Sequence, residues 1–188
     1  MTEQQQQVTA GSWLDNFVEY VKQALEIIQL KPEAIDRARQ DDEAFTMGLV
    51  IIALGGVAAA IGSINPFGVI FLPVMFIIAA FIFVAIVHLM ATLVFKGEGE
   101  FLELFRPLGL AHVLTWVNVI WILNVILGFL AGLWMLVVAV VCVERAYKLD
   151  RGKAIAAVAI PVAVLFLIVM MFVAMVGMAI ILGLRGAG

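Results

Sequence analysis

Hydrophobic and polar positions divide the chain into a polar start, one amphipathic stretch and a series of long apolar runs. Residues 1–11 (MTEQQQQVTAG) contain nothing that could pack, which predicts a disordered tail. Leu14, Phe17, Val18, Val21, Leu25 and Ile28 then recur at helical spacing and form one apolar stripe. Ser12 as N-cap and Asp15 near the positive helix start complete the pattern. It predicts a helix over 12–30 on the membrane surface or against a bundle, with Trp13 and Tyr20 at headgroup level. Lys31-Pro32 should end this helix, because proline disfavours helical geometry in the residue before it. A charged linker, residues 33–43, leads to the first apolar run.

Runs beyond about 18 apolar residues are read as membrane spans. The first covers 44–64 and ends in the uncharged turn Ser63-Ile64-Asn65-Pro66. The second, 67–95, would be about 44 Å long as a helix, so it must tilt, kink at Pro73 or project from the hydrocarbon. The loop 96–100 and a short amphipathic piece, 101–107, follow, the latter ending at Arg106-Pro107. Residues 108–143 carry no charge and would reach about 54 Å as one helix, far more than a core of about 30 Å. They divide into a third span, 108–122, and a fourth, 125–143, with a turn near Asn124 and Trp121 at the interface. A fifth span, 154–184, should kink at Pro161. The expected fold is all-α: a disordered tail at 1–11, an amphipathic helix and linker at 12–43, and a bundle of five transmembrane helices at 44–188.

Two sets of small residues are candidate helix contacts, since small faces let helices approach closely in lipid. Gly48, Gly55, Ala59 and Gly62 share one face of the first span, and Gly128 and Gly132 form a GxxxG in the fourth. The residues proposed for the amphipathic interface are Trp13, Leu14, Phe17, Val21, Leu25 and Ile28.

Composition agrees: 65% of residues are hydrophobic and 13% charged, against about half and about a quarter in a soluble domain. The net charge of −3 gives no basic footprint for nucleic acid. Charge distribution says more. Lys22, Lys31, Arg37, Arg39, Lys96, Arg106, Arg145, Lys148, Arg151 and Lys153 fall on one side of a five-span chain, leaving only Arg185 opposite. Lysine and arginine stay on the cytoplasmic side, so the N-terminus is expected inside and the C-terminus outside the cell (inner) membrane. A single crossing by 108–143 would instead translocate the four basic residues of 144–153.

Little chemistry is expected. No Asp, Glu, Lys or Arg lies inside a span, which argues against a proton-coupled transporter or ion pump. No Gly-x-Ser-x-Gly or phosphate-binding glycine loop exists, and Cys142 has no cysteine partner, so neither an enzyme nor a metal site is expected. His88 and His112 both fall in the inner half of the bilayer. They are candidate axial ligands of a haem or chlorophyll-type pigment, weighed against the plainer role of histidines satisfied by a neighbouring group. The plainer role is the expected one, with no cofactor.

Four segments together resemble the Yip family, whose name comes from proteins that bind Ypt/Rab GTPases. They are Leu30-Lys31-Pro32-Glu33, His88-Leu89-Met90-Ala91, the loop from Lys96 to Phe101, and Leu149 to Ala154 with Pro161 beyond. The resemblance covers roughly residues 28–175, and the short chain is similar to prokaryotic members. It implies a non-catalytic membrane protein, linked in eukaryotic relatives to trafficking and membrane shape. The Asp-Leu-Tyr-Gly-Pro motif of those relatives is missing, which counts against GTPase binding. The expected function is an organiser or partner subunit whose partners are the lipid bilayer and other membrane proteins or itself. The alternatives are a small channel or carrier of apolar or lipid-like substrates, and an accessory subunit of a redox or photosynthetic complex.

Overall fold

The computed structural model describes the backbone of residues 3–186 and the side chains of 12–178, apart from 122 and 124. Helices are the regular elements of the described backbone, with no strand among these residues. Helix α1 spans Glu3–Ile28. It therefore starts well before Ser12, which lies inside the helix and not at its cap. The polar start of the chain, expected as a disordered tail, carries the first turns of α1. The helix ends where expected: Leu30 turns to a left-handed φ of 62°, and Lys31 is extended before Pro32. The same proline opens α2, Pro32–Gln40, at the position where its missing N–H costs nothing. The charged stretch read as a linker is thus largely a helix.

Helix α3, Glu43–Gly62, leads through the turn at 63–66 to α4, Gly68–Leu89, which continues as a π-helical turn, Met90–Val94. Helix α5, Phe101–Ala111, passes directly into a 3-10 helix, His112–Val119. After a one-turn 3-10 piece, Trp121–Leu123, come α6, Asn124–Tyr147, and α7, Arg151–Gly186.

Among the described residues four helical segments are long and apolar enough to cross a membrane: Glu43–Gly62, Gly68–Val94, Val125–Tyr147 and Arg151–Met178. The expected third transmembrane helix is not among them. Its residues are a composite rod in which 101–107 and 108–119 are continuous, so Pro107 does not end the amphipathic piece. Burial explains why the helix tolerates it: Leu104, Phe105, Leu108 and Leu110 are fully enclosed, and Glu100 and Glu103 cap its start reciprocally. Eleven α residues and eight 3-10 residues make a rod of about 32 Å.

The rod runs parallel to α3. A β-carbon at Gly48 would stand 3.2 Å from the Gly109 Cα. Farther along, one at Gly55 would strike the Thr115 hydroxyl, and one at Gly62 the Asn118 carbonyl. On its other side α3 meets α4, where Gly56 faces the backbone of Leu72 and Pro73. The Trp116 indole donates 3.0 Å to the Ile51 carbonyl, tying the rod to the middle of α3.

Helix α1 lies along this core and buries Tyr20, Ala24 and Ile27 against it. Phe17 stacks on Trp116 with ring centroids 6.4 Å apart, and Trp134 of α6 donates 2.8 Å to the Ile28 carbonyl. Only one edge of the apolar stripe is used, because Trp13, Leu14, Val18 and Leu25 stay exposed. Helix α7 touches the bundle through Ala154, Ala157 and Val158. From Ala163 to Val176 every residue of it is exposed.

Candidate functional site

The charged residues separated along the sequence meet at one end of the bundle. Asp36 of α2 accepts from Arg39 at 3.3 Å and from Arg145 of α6 at 2.5 Å. Arg39 also pairs with Glu103 of α5 at 3.5 Å. Arg106 of α5 donates 2.7 Å to the Arg39 carbonyl and pairs with Asp42. The cluster therefore straps α2 across the ends of α3, α5 and α6. At its margin the Tyr20 hydroxyl donates 2.5 Å to Asp41. Burial, together with that bond to Asp41, pushes the Tyr20 hydroxyl above its ordinary range, so it stays a donor. Lys31, with Arg37 beyond it, lowers the Glu26 carboxyl.

A second set of contacts locks the loop 96–100. Gly97 N–H donates 2.8 Å to the Ala91 carbonyl, and Glu98 N–H donates 3.3 Å to the Tyr147 carbonyl. Gly97 and Gly99 lie so close to Tyr147 and the Ala146 carbonyl that no β-carbon fits without a shift. The loop is a lid fixed on the end of α6. Below it His88 Nδ1 lies 2.6 Å from the fully buried Tyr147 hydroxyl, and its ring meets Phe101 edge-on.

His112 lies elsewhere, with Nδ1 2.8 Å from the Leu108 carbonyl. The structure therefore gives the two histidines separate partners and does not pair them. Among the described residues no group of three or more His, Cys, Asp or Glu could hold a metal ion. His112 lines a crevice of about 310 Å³ between α4, the 3-10 segment and α6.

The small residues divide in the same way. Gly48, Gly55 and Gly62 sit against the rod, while Ala59 is half-buried and its carbonyl accepts from Ser63. Gly128 faces the Asn118 side chain, but a β-carbon at Gly132 would meet nothing within 4 Å. In the amphipathic helix Phe17, Val21 and Ile28 are half-buried, whereas Trp13, Leu14 and Leu25 are exposed.

Sequence reasoning counted Arg39, Arg106 and Arg145 as topology markers and missed that they converge with Asp36. It also missed Tyr147, Trp116 and Trp134. The available signal was chemical: an indole N–H or phenol in an apolar run needs an acceptor.

Long apolar helices, charged loops gathered at one end and uncharged turns at the other define a multi-pass α-helical membrane protein. The chain belongs to the Yip1 domain family, whose profile matches residues 27–183. Comparisons with curated proteins and with solved structures found no match.

Proposed function

We propose that this protein is a non-catalytic organiser or partner subunit that crosses the membrane five times with its N-terminus in the cytoplasm. The observation that carries the reading is the charged end: α1 and α2 are fixed there as a rigid cap, while one apolar edge of α1 is left uncovered. A half-covered amphipathic helix suits the cytoplasmic leaflet or another membrane protein's juxtamembrane segment.

Five crossings fit the geometry. Asp36 binds Arg145 and Arg39 binds Glu103, so residues 103 and 145 share an end and the chain between them must go out and return. The uncharged part of the composite rod, from Pro107 on, is about 24 Å long, and with residues 120–123 beyond it can supply the outward leg across a core of about 30 Å. The basic residues at that end favour the cytoplasm. In a Cys142→Ala background, Trp121→Cys should react with an impermeant thiol reagent only from outside the cell membrane, and Lys148→Cys only from inside. Labelling of both from one side would overturn the topology.

Deleting α1 is a poor test of partner binding, because Tyr20, Ala24 and Ile27 belong to the core. Leu14→Glu, Val18→Glu and Leu25→Glu alter only exposed positions. Native mass spectrometry of the protein from its own membrane should show a co-purifying protein that the triple variant loses. Retention of the same partner by the variant would sink the role given to α1.

A further inference from the structure

We propose that the crevice beside His112 binds an uncharged, membrane-dissolved lipid alcohol: an apolar chain ending in one hydroxyl. Its volume, about 310 Å³, falls within the range of small-molecule pockets, roughly 300–1,000 Å³. The walls are apolar, with Phe76 and Phe83 from α4 and Met135 and Leu136 from α6. His112 and Thr115 supply the polar groups.

Their hydrogen bonds decide what is offered to a ligand. The Leu108 carbonyl is an acceptor, so His112 Nδ1 must carry the proton that bridges the 2.8 Å between them. A neutral imidazole that donates through Nδ1 has Nε2 as a bare acceptor at the far edge of the ring. Thr115 spends its proton on the His112 carbonyl at 2.7 Å, so it has none to give a ligand. The crevice therefore offers an acceptor and asks for a donor. Among the described residues no cation lines it to hold a phosphate or carboxylate, and no acid lines it to hold an amine. A hydroxyl satisfies those conditions, and the aromatic and methionine walls fit its chain.

The way in is sideways. Ala79 and Gly132 are exposed at the mouth, and both lie in apolar segments long enough to cross the membrane. The missing side chain at Gly132 leaves that side open, since a β-carbon there would meet nothing within 4 Å. The site is distinct from the charged end and does not depend on the organiser role.

The test uses the full chain in phosphatidylcholine nanodiscs, irradiated with hexadecanol carrying a mid-chain diazirine. Adducts mapped by mass spectrometry should concentrate on Phe76, Phe83 and Met135, and unlabelled hexadecanol should suppress them. The methyl ether of the same probe should label about ten-fold less, because it has no proton to donate. Gly132→Phe should abolish labelling without lowering the melting temperature, and His112→Phe should reduce alcohol labelling to that of the ether. Independently, the ¹⁵N resonance of His112 Nε2 should move when the alcohol is added to the unmodified protein. Equal labelling by alcohol and ether, adducts spread evenly over the lipid-facing residues, or an unmoved Nε2 resonance would each overturn the proposal.

Discussion

Replacing Gly56 by leucine is expected to destabilise the bundle by about 3 kcal/mol, at the upper end of the usual cost of overpacking. The reason is what stands opposite. A β-carbon at Gly56 would lie 2.5 Å from both the N and the Cα of Pro73 and 2.7 Å from the Leu72 carbonyl carbon. These are backbone atoms inside α4, so no side-chain rotation relieves the contact. Helices α3 and α4 would have to separate, and with them Ile52 and Ala80, which pack in the same core. Gly56→Ala should already cost stability, because the first added carbon is the one that collides. Gly132→Leu is the control, as that position opens on space. Unfolding by SDS titration in mixed micelles should rank the variants Gly56→Leu, Gly56→Ala and Gly132→Leu, from least to most stable. Equal stability of the first and last would show that α3 and α4 are not in backbone contact.

Tyr147→Ala should have a comparable effect, about 3–5 kcal/mol, as for other large buried aromatic side chains. The side chain is almost wholly enclosed, carries the partner of His88 and forms the floor on which Gly97 and Gly99 lie. Tyr147→Phe separates packing from hydrogen bonding. It keeps the ring and deletes the hydroxyl, leaving His88 Nδ1 without that partner, at a cost of about 1–3 kcal/mol. The His88→Phe, Tyr147→Phe double variant should recover part of that loss, because neither polar group then remains to be satisfied. A double variant as unstable as the sum of the single ones would show that the two side chains act independently. Hydrogen exchange at the Gly97 and Glu98 amides should rise in Tyr147→Ala and much less in Tyr147→Phe.

The sequence was most legible where the physics is one-dimensional. Long uncharged runs marked the four long helices to within a few residues, because an unbroken apolar run is a local property of the chain. Pro32 marked a true boundary, since proline acts on its immediate neighbour. The rod was misread because its geometry depends on neighbours. Nothing in His112–Val119 specifies i to i+3 hydrogen bonding, and Pro107 looked like a stop signal although the packed core carries the helix through it. Helix α1 shows the same limit. Its stripe was visible, but which edge is covered follows from Trp116, Trp134 and Asp41, all distant in sequence. At the candidate sites, GxxxG spacing placed Gly128 and Gly132 on one face without revealing that one meets Asn118 and the other borders a crevice. The convergence of Glu103 and Arg145 on the Asp36–Arg39 pair lay beyond any local pattern, because the partners are 64 or more residues away and on other helices.

The composite rod also bears on how the protein is made. On the proposed topology, residues 107–119 cross the membrane without the α-helical length that lets a segment partition alone. What holds them is the glycine face of α3, which must already be in place when they emerge from the ribosome. Synthesis order meets that need, since α3 and α4 come first, and α6 then closes the hairpin. The biogenesis machinery would thus receive the middle of the chain as a dependent loop, admitted by its earlier neighbours and not by its own hydrophobicity. A bulky residue at Gly48 would accordingly act first as a defect of insertion, leaving residues 107–119 stranded on the cytoplasmic face before any folded bundle existed to be destabilised.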